Sequence, residues 1–187
     1  MTAAKRSHST PTTGNSQATR ATRRTAYLLA GAALTLICSG VVSASTSIDQ
    51  LGADIDGEAA GDYSGQSVAM SSDGTIIAIG AYTNDGNNGT DSGHVRVYEW
   101  NGSEWTQKGG DIDGEAAYDY AGWSVDLSSD GTTVAIGAKY NDGNGDASGH
   151  VRVYEWNGSE WVQKGADIAG EAAGDESGGS VDRKSVV

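Results

Sequence analysis

The sequence predicts an all-β protein made of four-stranded antiparallel units in tandem, behind an apolar leader. Three observations predict it. The segment DIDGEAA at 54–60 returns at 111–117 and, as DIAGEAA, at 167–173. GHVRVYEWNGSEW at 93–105 returns unchanged at 149–161. Beyond the leader no window carries a 3.6-residue apolar period, whereas short runs of Val, Ile, Trp and Tyr recur between Gly-rich turns. A fixed period of 56 or 57 residues is the mark of a repeat architecture.

Each repeat reads as four strands. In the first, 67–70 is the opening strand, and Asp73-Gly74 makes a tight turn because Gly accepts the positive φ required there. The apolar run TIIAIGA at 75–81 suits a strand covered on both faces. A polar loop at 83–92 leads into a strand at 94–100, where Val95 and Val97 alternate with Arg96 and Tyr98. Asn101-Gly102 signals a hairpin into a last strand at 103–108. The second repeat keeps the order through Val125, 134–138, 151–156 and Trp161. Four antiparallel strands at a fixed period is the design of a β-propeller blade. One blade cannot bury both its faces, so further blades of this or another chain are needed to close the fold.

The organisation that follows is a leader at 1–44, a linker at 45–52, blade repeats at 53–109 and 110–165, and a partial third repeat at 166–187. Residues 176–181 track 63–68, and the pattern then breaks at Asp182-Arg183-Lys184, which reads as a truncated repeat. In the leader, a basic stretch precedes an uncharged run at 26–42, followed by Val42-Ser43-Ala44, a small-residue site for cleavage after Ala44. The run fits either a cleaved secretory signal or an uncleaved signal anchor, and only the latter would tie the chain to a membrane. Both readings export the rest, to a secreted or cell-surface location. The single cysteine, Cys38, lies in the leader, so the exported part has no disulfide.

Charge narrows the partners. From Asp49 onward there are 25 acidic and 7 basic residues, a net of -18. Such a surface repels nucleic acid and anionic membrane and suits cations or basic partners. The loops at 84–91 and 141–146 alternate short oxygen side chains with Gly, which lets a chain curl round a hard cation. Asp85, Asn87 and Asp91, with Asp142, Asn144 and Asp146, are therefore the candidate calcium ligands, set against a reading as solvated turns. Asp54, Asp56 and Glu58, with Asp111, Asp113 and Glu115, could hold a cation or serve as acid and base. They read better as a blade-to-blade connection, and Ala169 replaces the second aspartate in the third copy. His94 and His150 hold equivalent places and read as structural, donating to a backbone carbonyl. Trp100, Trp105, Trp156, Trp161, Tyr98 and Tyr154 could stack on sugars but read as packing between blades. Sequons at Asn88, Asn101 and Asn157 matter only where exported proteins are glycosylated. No nucleophile stands at a workable spacing from a base, so no catalytic residue is assigned.

The stretch from Gly65 to Trp100 resembles the FG-GAP repeat of integrin-α-type β-propellers. The matching features are Gly-x-Ser-Val at 65–68, Ile-Gly-Ala at 79–81 and the Gly-led strand at 93–100, repeated at 122–125, 136–138 and 149–156. The resemblance implies a ring of about seven blades serving as a rigid platform for extracellular recognition or adhesion. The family's calcium loop between the first two strands is here only Ser71-Ser72-Asp73-Gly74 and Ser128-Ser129-Asp130-Gly131, too short to supply about six to eight oxygens. The expectation is a non-enzymatic module that binds an extracellular protein or glycan, with calcium as the one candidate cofactor. A structural array of an envelope or matrix, and the non-catalytic part of a propeller glycan-processing enzyme, are the alternatives.

Overall fold

The structure, a computed structural model, describes residues 49–182. The leader with its apolar run, Cys38, and residues 183–187 lie outside the described residues. Among the described residues there is no helix and therefore none that could cross a membrane.

Two antiparallel sheets form the fold. In the first, β1 (Ser67–Met70), β2 (Ile76–Ala81), β3 (His94–Trp100) and β4 (Trp105–Gln107) lie in sequential order. The short β5 (Ile112–Asp113) also pairs with β3, His94 opposite Asp113 and Val95 opposite Ile112. The second sheet repeats this with β6 (Ala121–Leu127), β7 (Thr133–Ala138), β8 (His150–Trp156) and β9 (Trp161–Gln163), and β10 (Ile168–Ala169) pairs with β8.

Two expectations are corrected. The DIDGEAA segment is no mere connection: its Ile112-Asp113 is a strand that completes the preceding repeat's sheet. The last strand is shorter than 103–108, because the hairpin is not a two-residue turn. Trp100 pairs with Trp105, and the Asn101 Oδ1 accepts from the Ser103 and Glu104 backbone N–H groups at 2.9 and 3.0 Å. Asn157 does the same for Ser159 and Glu160, so both sequon asparagines are turn-formers in this geometry.

The first turn of each sheet is closed by one aspartate. Asp130 Oδ1 accepts from the Ser128 hydroxyl at 2.6 Å and from the Thr132 N–H and hydroxyl at 3.1 and 2.9 Å. These bonds favour the carboxylate, led by the one from Ser128, and hold Asp130 down at about 2.

The core lies between the sheets. Ile76, Ala78, Val95 and Val97 of the first face Val125, Leu127, Val134 and Ile136 of the second. Equivalent side chains fare differently at the outer faces. Val125 and Leu127 are 8% and 3% exposed, but their counterparts Val68 and Met70 are 57% and 53% exposed. On the far side Val151 and Val153 are half-buried where Val95 and Val97 are fully buried. Each outer face therefore has the shape and apolar character of a covered face without its cover.

The sheets approach closely because glycine permits it. A β-carbon at Gly80 would collide with the Gly122 carbonyl oxygen, and one at Gly137 with that of Gly178. The Ser67 and Ser124 hydroxyls donate to those same two carbonyls, each at 2.7 Å. This accounts for both the Gly of Ile-Gly-Ala and the Ser of Gly-x-Ser-Val.

Three outcomes follow for chemical or thermal denaturation. Leu127→Ala should cost about 2–4 kcal/mol, and Met70→Ala, at an uncovered face, under about 1 kcal/mol. Equal losses would contradict the asymmetry of burial. Gly80→Ala should cost about 2–3 kcal/mol, whereas Gly110→Ala, with open space and no positive φ, should be neutral or slightly stabilising. Because the Asp130 pKa is depressed on folding from 3.8 to about 2, its contribution is present above pH 3.8 and is lost as pH falls through about 2. Asp130→Asn should flatten that acid limb of the stability–pH curve.

Candidate functional site

The seam between repeats brings the polar chemistry together. After β5, residues 114–121 run along the loop that precedes β3. Gly114 N–H donates to Gly93 O at 2.8 Å, Tyr118 N–H to Thr90 O at 2.9 Å, Tyr120 N–H to Asp91 O at 3.2 Å and Ala121 N–H to Ser92 O at 2.9 Å. The next seam repeats the bonds from Gly170, Gly174, Glu176 and Ser177. Tyr63, Tyr120 and Glu176 hold the same left-handed backbone, φ 51°, 56° and 51°. Such strain, about 1–3 kcal/mol each, is held at the two seams by these bonds.

A buried Asp–Asn pair anchors each seam from below. Asp119 Oδ2 accepts from the Asn141 amide at 2.9 Å and the Ala116 N–H at 3.0 Å, and Asp62 does the same with Asn84 and Ala59.

Above the first seam lies a cleft of about 610 Å³ edged by Glu58, Asp62, Asp85, Asp91, Asp111 and Asp113, with His94 in its wall. His94 and His150 are 1% and 2% exposed. Neither donates to a carbonyl, contrary to expectation: each Nε2 is buried with no partner. The Nδ1 of His94 faces Glu58 Oε2 at 3.8 Å, and that of His150 faces Glu115 Oε2 at 3.8 Å and Asp167 Oδ2 at 4.0 Å. Glu58–His94–Asp111 and Glu115–His150–Asp167 are each close enough to share one ion. Burial, then the Arg152 guanidinium, push the His150 imidazole below its ordinary value, so it is neutral at pH 7.

Arg96 and Arg152 brace the glutamates. The Arg96 Nη2 donates to the Asp56 carbonyl at 2.7 Å while its Nη1 lies 3.9 Å from Glu58 Oε1. Arg152 donates to the Asp113 carbonyl at 2.7 Å, its Nη1 3.5 Å from Glu115 Oε1.

Of the six candidate calcium ligands, Asp85, Asn87 and Asp91 line the cleft above the first seam. Asp85 and Asp142 accept from the Asp91 and Ala147 N–H groups of their own loops at 3.1 and 2.8 Å. Asn87 and Asn144 cross to the next repeat, donating to Asp113 Oδ2 at 2.9 Å and Gly170 O at 3.0 Å. Asp91 and Asp146 serve through their backbone carbonyls. Within each loop the first aspartate and the asparagine side chains bond to different partners.

The recurrent tryptophans pair within hairpins, Trp100 with Trp105 and Trp156 with Trp161 at 5.5 and 5.4 Å. Trp161 Nε1 donates to Lys108 O at 2.8 Å, which pins the linker between repeats. A second aromatic group had no sequence signal as a motif. Tyr63 stacks on Tyr82 at 5.5 Å, and Tyr82 meets Trp123 at 4.8 Å and Tyr120 at 5.8 Å. Tyr140 continues the row to Tyr120 and Trp123 at 5.4 and 6.0 Å. The Lys139 ammonium lies over Trp123 and Tyr140 at 4.9 and 4.8 Å and pairs with Glu176 at 3.0 Å. Beside the row an open depression of about 510 Å³ is lined by Tyr118, Tyr120, Tyr140, Asp142 and Asp146. Desolvation, then the nearby Asp91 carboxylate, push the Tyr120 phenol up. The one available signal was divergence: where the first repeat has Gly61, Gln66 and Thr83, the second has Tyr118, Trp123 and Tyr140.

No curated protein matches the chain. The family model for the FG-GAP repeat matches residues 53–98 and 112–154, each stretch running from a leading segment into the third strand of its repeat. The chain is an FG-GAP repeat protein, with two such repeats matched.

Proposed function

We propose that this FG-GAP repeat protein is an exported, non-enzymatic recognition module of the β-propeller type, and that its ligand is a neutral glycan held on the aromatic row. The carrying observation is the row from Tyr63 to Tyr140, because Trp123 and Tyr140 lie where otherwise near-identical repeats diverge, against Gln66 and Thr83, while Tyr63 and Tyr120 hold one equivalent place. Packing positions are kept from repeat to repeat. A site used once is built from positions that are not. Aromatic faces stack on the C–H faces of sugar rings, as their amphipathic rings favour, and Asp142 and Asp146 beside them accept from hydroxyls. The acidic surface disfavours sulfated or sialylated glycans.

The propeller reading draws support from the two uncovered sheet faces, which further repeats of this or another chain would bury. The basic-then-apolar leader supports export. Calcium enters as a modulator: Asp85 and Asp91 edge the cleft on the loop that carries the seam, so an ion there would stiffen the platform. The near-identity of the hairpins also favours a purely structural array, which is the reading left if no ligand binds.

An array of neutral and acidic glycans and matrix proteins, probed with and without calcium, tests the proposal. Weak, calcium-sensitive binding to neutral glycans is expected, falling about tenfold or more in Trp123→Ala and Tyr140→Ala, the equivalent of about 1.4 kcal/mol. Failure to bind in both conditions overturns the recognition role, and binding untouched by both variants overturns the site.

A further inference from the structure

We propose that each seam between successive repeats is a binding site for a divalent transition-metal ion of the zinc class. Glu58, His94 and Asp111 form the first site and Glu115, His150 and Asp167 the second. The inference goes beyond glycan recognition and does not depend on it.

Two independent observations meet here. One is the donor set: in each seam an imidazole nitrogen and two carboxylate oxygens lie within 4.8 Å of one another. The other is the state of the histidine. A side chain 1–2% exposed whose two nitrogens make no hydrogen bond is costly to keep. Here it is kept twice, each time with Nδ1 turned toward the carboxylates. An ion on Nδ1 would relieve that nitrogen, though not the buried Nε2.

The geometry is close to closure. Bonds of about 2.0–2.1 Å set tetrahedral donors roughly 3.4 Å apart. The Nδ1 distances of 3.8–4.0 Å to Glu58, Glu115 and Asp167 need a contraction of under about 1 Å by that measure, and the other donor pairs, up to 4.8 Å apart, need up to about 1.4 Å. The half-exposed glutamate supplies it, since its Oε1 rests near the arginine and its Oε2 is turned to the histidine. In the first seam Oε2 also takes a long bond of 3.4 Å from the Asn84 amide, which a metal would displace. The chemistry selects the ion: an imidazole among so few donors is wrong for calcium or magnesium and suits zinc, cobalt or nickel. Three protein ligands leave a fourth position to water. Glutamate and histidine come from one repeat and the aspartate from the next, so the ion ties two repeats together. Asp113 edges the first site where the second has Ala169, and the extra negative charge makes the first ion the tighter.

Titration of the full chain with cobalt(II), followed by its d–d absorption, and with zinc by calorimetry, decides the matter. Two equivalents are expected, of unequal affinity and not displaced by millimolar calcium. His94→Gln should remove the tighter one and His150→Gln the weaker. Glu58→Gln and Asp111→Asn, at exposed positions, should each weaken the first site about tenfold or more with the far-UV spectrum unchanged. These two decide the question should the buried histidine variants fail to fold. The proposal is overturned if Glu58→Gln and Asp111→Asn bind cobalt as the parent does, if calcium displaces cobalt one for one, or if no d–d band develops.

Discussion

A carbonyl oxygen of one repeat occupies the place where a residue of the previous repeat would carry its β-carbon. That contact, Gly122 against Gly80 and Gly178 against Gly137, sets the spacing on which the rest depends. With the sheets so close, a serine hydroxyl reaches across to the same carbonyl, and the small and branched side chains between the sheets fill the gap. Ala78 and Val125 fit where larger residues would force the sheets apart.

The same closeness makes the seam the richest chemical surface of the molecule. The leading segment of each repeat lies against the loop of the one before, so acids from two repeats share a cleft and one buried histidine faces them. Arginines anchored to backbone carbonyls offset the repulsion among those acids. The aromatic row uses a different part of the junction, with rings from both repeats. Both surfaces exist only where two repeats meet.

Much of the fold was legible in the sequence because its determinants are local. Alternation placed β1 and β3, and identical segments placed their counterparts. The role of Ile112-Asp113 was not legible, because pairing with His94 and Val95 is a long-range contact and the segment is rich in turn residues. The calcium candidates were chosen for composition alone, which does not say whether side chains converge. Asp85 and Asn87 bond to a backbone amide and to a neighbouring carboxylate. The Glu58–His94–Asp111 group joins residues up to 53 positions apart, so no spacing rule points to it. The aromatic row was hidden for another reason: attention to what repeats passes over what differs.

The phase between sequence repeat and structural sheet has an evolutionary consequence. The repeating unit of 56 or 57 residues begins with a strand that belongs to the sheet before it. A gene segment duplicated at that period therefore inserts one strand that finishes its upstream neighbour, and a set of strands that its downstream neighbour will finish. Such an array can lengthen or shorten by unequal recombination without leaving an unmatched internal edge. The copies can then drift apart at their surfaces while the joints between them stay interchangeable.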